Sequence, residues 1–237
     1  SELGHERDPH NPLEMTGDPA VIRLLAPQVD SRLLQEAAFA AAERGQLEGV
    51  KTFIELGVPV HARGGPGSFL HAAVKSGNID LITWLLGQGV DIESRGHRAR
   101  QATPFALACR EGNLEVAKFL LEAGADATAR SNVGLVFGYT SAARSMTAAD
   151  AAVVGGHPEL LLFALEQGAS LSESIFDGKT PVHFAALSEN SDVLKILIQR
   201  KLPLDVKDET GNTPLFYARK FKKTENVETL RSAGALE

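Results

Sequence analysis

The residues that could carry chemistry fail on spacing. Gly178-Lys179-Thr180 looks like the end of a phosphate-binding loop. Such a loop needs a glycine five residues before its Gly-Lys pair, so that successive backbone N–H groups can wrap the phosphate, and Glu173 stands there. His5-Glu6 would open a zinc-protease motif only with histidine at position 9, which is Pro9. Gly64-Gly65-Pro66-Gly67 could cradle an anion, but no helix with a Lys-Ser/Thr pair follows, and the stretch reads as the tip of a turn. Cys109, the single cysteine, lies between Ala108 and Arg110 on the inward side of a helix pattern and reads as a small core residue, not a nucleophile. No acid/base pair recurs at one place. The expectation is a chain with no catalytic residues, no metal site and no cofactor.

The elements around these residues repeat. Thr103-Pro104-Phe105-Ala106-Leu107-Ala108 returns as Thr180-Pro181-Val182-His183-Phe184-Ala185 and as Thr213-Pro214-Leu215-Phe216-Tyr217-Ala218, with weaker copies at Glu36, Ser68 and Thr147. Gly57, Gly89, Gly124, Gly168 and Gly234 each fall at one fixed distance after a start, and Lys201 takes that place in the fifth copy. Proline suits the first turn of a helix, where its missing N–H costs nothing, and Gly112 can end that helix in a left-handed conformation. A second helix then carries Leu114, Ala117, Phe119, Leu120 and Leu121 until Gly124. The Gly-, Asp- and Asn-rich links, Asp208-Glu209-Thr210-Gly211-Asn212 above all, read as hairpin-like tips.

This pattern resembles the ankyrin repeat family, whose unit is about 33 residues with a Thr-Pro-Leu-His-x-Ala signature. The resemblance covers roughly 34 to 236 and is most specific from Thr103 to Asp126. It implies an all-α solenoid of about six helix-turn-helix repeats, near 34–66, 67–101, 102–145, 146–178, 179–211 and 212–236, with hairpin-like tips along one edge. It also implies that His71 and His183, at the fourth position of the signature, hydrogen-bond the neighbouring loop backbone. Phe39, Ala106, Asp150 and Phe216 stand at that position in other copies, which must satisfy the loop differently. Val21, Ile22, Leu24, Leu25, Leu33 and Leu34 suffice for an N-terminal capping helix, and Arg219, Lys220, Lys222 and Lys223 make the last copy polar. The ankyrin-like domain therefore spans 20–237. Residues 1–19, with Pro9, Pro12 and Pro19, are expected to form a flexible N-terminal arm. Trp84 aligns with Phe119 and Phe53 as core.

Composition bounds the rest. Of 237 residues 43% are hydrophobic, which supports a buried core. No run approaches the roughly 18 apolar residues of a membrane span, and no basic start leads into an apolar signal segment. A net charge of −6 argues against non-specific nucleic-acid binding. A lone cysteine fits a reducing compartment, so a cytoplasmic and monomeric protein is expected, with nuclear or secreted-effector use left open.

Departures from the repeat point to binding. The third spacing is 11 residues longer than the unit and places Val136, Phe137 and Tyr139 in an enlarged tip, which either folds onto the stack or forms a contact surface. Arg63, Arg95, Arg98, Arg100, Arg130 and Arg144 mark tips and helix starts, and Arg110 stands at the end of a first helix. Met146, Val154, Phe176 and Leu187 are apolar where an edge would be polar. The resemblance implies a non-catalytic module, a scaffold or regulator, that binds another protein through its concave face and tips. The Arg positions would steer an acidic or extended segment onto apolar anchors. Two alternatives stand: recognition of a phosphate-bearing ligand by the Arg stripe, and a repeat portion of a larger multidomain enzyme.

Overall fold

The computed structural model describes residues 13–64, 67–95, 100–133 and 145–236. The chain divides into two compact units, Ser1–Pro104 and Phe105–Glu237.

In the first unit α1 (Pro19–Leu25) runs into a short 3-10 turn and is followed by α2 (Ser31–Glu43) and α3 (Leu47–Glu55). A tip of two short strands, β1 (Arg63–Gly64) and β2 (Gly67–Ser68), leads to α4 (Phe69–Ser76) and α5 (Ile79–Gly87), and β3 (Arg100–Gln101) precedes the boundary. Side-chain caps set the starts: the Asp30 carboxylate accepts from Leu33 N–H at 2.8 Å, and Asn78 Oδ1 from Leu81 N–H at 2.9 Å. Asn78 Nδ2 also donates to the Gly45 carbonyl at 2.8 Å, tying the second helix pair to the turn of the first. Phe39, Phe53, Phe69, Leu70, Leu81, Ile82 and Leu85 form the core, with the rings of Phe39 and Phe69 stacked 4.2 Å apart.

The second unit holds four more helix pairs among the described residues. They are α6 (Pro104–Glu111) with α7 (Leu114–Glu122), α8 (Ala148–Gly155) with α9 (Pro158–Glu166), α10 (Pro181–Ala185) with α11 (Asp192–Gln199), and α12 (Pro214–Lys220) with α13 (Thr224–Ser232). Between α7 and α8, β4 (Ser131–Val133) pairs antiparallel with β5 (Ser145–Met146), Ser131 opposite Met146. First helices pack in series, α8 on α10 and α10 on α12, and second helices likewise, α9 on α11 and α11 on α13. Each pair thereby buries a face that it could not cover alone. The class is all-α repeat solenoid, as the resemblance implies. No described helix is long and apolar enough to cross a membrane.

The fixed glycine after each second helix answers a backbone demand. Gly124 turns the chain at φ 100°, and Lys201, in the same place of the fifth copy, still adopts φ 59°. Gly112 and Gly155 serve close approach: a Cβ on Gly155 would lie 2.2 Å from the Arg110 carbonyl oxygen, and one on Gly112 would strike the His157 ring.

Three expectations change. Residues 13–18 are packed, not part of a loose arm: Leu13 is fully buried, the Arg44 guanidinium donates to the Glu14 carbonyl, and Gly17 lies against Gln46 and Gly49. Residues 1–12 lie outside the described residues. Trp84 and Phe119 are only half-buried, whereas Phe53 is fully buried because it stands one place on, in register with Leu85 and Leu120. The third change concerns Met146, within the site.

Candidate partner-binding surface

In α4, α8 and α10 the fourth residue of the signature sits in the first turn of the helix and bonds to the next tip. His71 Nδ1 accepts from Ser68 N–H at 3.3 Å and lies 2.8 Å from Ser68 Oγ. The ring proton is therefore on Nε2, which donates to the Ala102 carbonyl at 2.8 Å. His183 repeats this with Thr180 N–H at 3.1 Å and the Asn212 carbonyl at 3.1 Å. Asp150 does the same work with a carboxylate: it accepts from Thr147 N–H at 3.0 Å, from Ser172 N–H at 3.0 Å and from the Ser172 hydroxyl. Phe39 uses packing, its ring lying so close to Gly64 that a Cβ there would be 2.6 Å away. The histidines are structural, as the resemblance implies.

Burial pushes both imidazole pKa values down. The Ala102 carbonyl opposes this at His71, and the Asn212 carbonyl and Asp208 oppose it at His183. Folded His71 and His183 thus resist protonation, while the unfolded chain takes up protons below its ordinary value of 6.5. Stability should fall as pH drops from about 7.5 to about 5.5. Urea midpoints across that range check this, and His183→Gln should flatten the slope; an identical slope in the variant would remove His183 from the effect.

Tips are joined to one another as well. The tip of the fourth copy is a tight turn at Asp177-Gly178, φ 46° and 74°, closed by Lys179 N–H donating to the Phe176 carbonyl at 2.7 Å. The Asp177 carbonyl accepts from Glu209 N–H of the next tip at 3.0 Å. A Cβ on Gly178 would lie 2.8 Å from that same nitrogen, so glycine is required by approach as well as by φ. Asp208 Oδ1 gathers Thr210 N–H at 2.9 Å and Asn212 N–H at 3.0 Å, and Tyr217 donates to Oδ2 at 2.6 Å. Burial alone would raise the Asp208 pKa, but these donors outweigh it and hold the carboxyl well below the usual range. Lys179 completes the tip, 3.4 Å from Asp208 and with its ammonium over the Tyr217 ring at 5.4 Å. Gly178-Lys179-Thr180 is thus a folded tip running into a helix cap.

The expected contact residues separate. Met146 is 1% exposed, on β5 opposite Ser131, so it packs inward and offers nothing to a partner. Val154 and Leu187 are partly exposed and hold the same register, Val154 on α8 and Leu187 in the turn just after α10. Arg110 holds that register on α6, paired with Glu111, and Lys220 holds it on α12, exposed. These four form a row along the second unit's first helices, with two cations flanking two apolar side chains. Phe176 is half-buried at its tip, and Arg130 is exposed. In the first unit Arg63 and Arg95 are exposed, and Arg100 is placed as backbone of β3. Arg98, Phe137, Tyr139 and Arg144 lie outside the described residues, as do His5 and Glu6. Cys109 is buried and its thiol is pushed up to about 12 by burial, so it stays neutral near pH 7. No cluster of metal-ligating side chains occurs among the described residues.

Sequence reasoning missed Lys220 as part of this row and the Phe216, Tyr217 and Phe221 rings beside it; the signal was the register that picks out Val154 and Leu187.

Comparison with known proteins agrees with this architecture. The chain is 28% identical over 162 residues to human Rabankyrin-5, covering 67% of this chain and 13% of that protein. It is 30% identical over 170 residues to the ankyrin repeat protein FPV031 of Fowlpox virus, covering 70% of this chain and 47% of the viral protein. It is also 27% identical over 220 residues to an L-asparaginase of Dirofilaria immitis, covering 90% of this chain and 35% of that protein. The chain thus spans less than half the length of each of these relatives. Ankyrin repeats are in general protein-protein interaction modules and are generally non-enzymatic. The family described as ankyrin repeats (3 copies) matches residues 38–131 and 145–236, the same stretches in which first helices reach the next tip through their fourth residue, and the chain belongs to the ankyrin repeat family.

Proposed function

We propose that this chain is a non-catalytic recognition module that binds an extended segment of another protein along the first helices of its second unit. The observation that carries this is the row Arg110, Val154, Leu187, Lys220: a repeat stack has no packing reason to leave two apolar side chains partly open at matching positions between two cations. The apolar pair supplies the anchors and the cations orient an acidic partner. The surface is preformed at its centre, since α8 and α10 are each fixed by a capping residue and by a bond to the next tip. Binding therefore orders little of the protein, and the association retains more of its contact free energy. Arg130 and Phe176, on the tips, extend the same contact, and the chain works as a monomer.

Affinity capture from native lysate, with Val154→Asp/Leu187→Asp as the control bait, tests this. The captured partner should be lost from the variant by more than about tenfold while the melting temperature changes little. Equal capture by both baits would move the site elsewhere.

A further inference from the structure

The last helix pair carries a surface that reaches beyond the Val154–Leu187 row and meets it only at Lys220. In α2, α4, α8 and α10 the fourth residue of the signature is covered by the following tip. In α12 that residue is Phe216, 43% exposed, and Phe221, just beyond the end of the same helix, is 53% exposed. Tyr217 links them, edge-on to Phe216 at 5.6 Å and stacked with Phe221 at 6.4 Å, and its hydroxyl is fixed on Asp208. The Lys220 ammonium lies over both outer rings, 5.7 Å from Phe216 and 5.8 Å from Phe221. Residues 213–223 contain Arg219, Lys220, Lys222 and Lys223 and no carboxylate, in a chain of net charge −6. Lys223 is held by Glu189, while Lys220 and Lys222 are exposed beside the rings.

What would cover this face follows from α13. That helix buries only Asn226 and Leu230 and turns Glu225, Glu228, Arg231 and Ser232 outward. A further helix pair needs apolar surface on both helices beneath it, as α11 offers with Val193, Leu194 and Leu197. Here the exposed rings lie on α12 and just beyond its end, in a segment, 213–223, that carries four cations and no carboxylate. A single segment of chain fits that width, and the charge selects a carboxylate-bearing one.

We propose that the α12 face docks an acidic segment of another protein, with one apolar side chain of that segment against Phe216 and Phe221 and its carboxylates on Lys220 and Lys222. This rests on the reading of the chain as a recognition module, and the two surfaces share Lys220 alone; Phe216, Phe221 and Lys222 lie outside the row of Arg110, Val154 and Leu187. The aromatic surface supplies area at little cost in side-chain freedom, because Tyr217 is hydrogen-bonded and Lys220 is already positioned on the rings.

The test pans a display library of random peptides of about twelve residues against the whole chain at low salt, and then measures synthetic copies of the enriched peptides by fluorescence anisotropy. Enriched sequences should be rich in Asp and Glu around a large apolar residue. Their affinity should drop at least about tenfold with Phe221→Ser and, separately, with Lys220→Glu, and should weaken steeply with added salt. Val154→Asp/Leu187→Asp should leave it unchanged, and all variants should keep the parent melting temperature. Lys220→Glu keeps the rings and so remains informative if Phe221→Ser unfolds α12. No enrichment, neutral or basic sequences, or acidic peptides indifferent to both α12 variants would overturn the proposal. Acidic peptides lost only from the Val154/Leu187 variant would overturn it too, while leaving the function proposed above in place. Two further arms exclude other occupants: α12-dependent binding to phosphatidylserine vesicles, or α12-dependent dimers in light scattering, would each assign the face to a membrane or to a second copy instead.

Discussion

Leu120→Ala should destabilise the protein by about 2 to 5 kcal/mol. Leu120 is fully buried in α7 beside Val116 and Ala117, and truncating it removes apolar contacts and leaves a cavity that the surrounding helices fill only in part. Its backbone is unaffected: the Leu120 carbonyl still accepts from Ala125 N–H at 2.9 Å in the turn that ends α7. Repeat stability is a sum of each pair's own stability and its contacts with neighbours, so loss in α7 should spread to the next pair. Denaturant unfolding gives the total. Amide exchange gives the reach: protection should fall in α8 and α9 as well as in α6 and α7. Protection lost from residues 104–122 alone would show that the pairs of the second unit are energetically independent.

The second large effect is expected at Asp150. Asp150→Ala withdraws the acceptor from two backbone N–H groups, those of Thr147 and Ser172, and from the Ser172 hydroxyl. Asp150, Thr147 and Ser172 are all buried, so water replaces those bonds poorly, and each orphaned donor costs about 1 to 3 kcal/mol. A total of at least about 3 kcal/mol should follow from the three donors, with loosening of the link around Ser170–Ser172. Asp150→Asn keeps one oxygen acceptor and should recover part of the loss. Thermal unfolding of the two variants side by side decides it: equal melting temperatures for Asp150→Ala and the parent would mean that the carboxylate is not what holds the tip.

The helical skeleton was legible because it is written in local chemistry. Thr-Pro starts a helix by capping it and fixing its first φ, and the glycine after each second helix supplies a left-handed residue; both signals act within a few residues. The imidazole-to-tip bonds of His71 and His183 were legible through the resemblance alone, since nothing near them in sequence names Ala102 or Asn212 as their acceptors. What escaped was decided by faces. Met146 looked like an edge residue because it adjoins the enlarged tip, yet on a two-residue strand adjacent side chains take opposite sides, and spacing does not say which side is inward. Trp84 and Phe53 differ by one place in register, and on a helix one place is about 100°, enough to move Trp84 from the core to its margin. Leu13 lies in a Pro-rich stretch without periodicity, which speaks against a helix there but not against packing. The α12 rings were hidden for a related reason: Phe216 reads as a variant of a covered position, and only the placement of the tips shows that in the last pair nothing described covers it.

The bonds from first helices to following tips have a consequence for synthesis. They join residues 31 apart at His71–Ala102, 22 apart at Asp150–Ser172 and 29 apart at His183–Asn212. A ribosome adds about 5 to 20 residues each second, so the partner of each such side chain emerges within seconds of it. Short separations also keep loop-closure entropy low and folding fast. A helix pair can therefore dock on its predecessor while the next is still being translated, and little apolar surface waits for a distant stretch of chain.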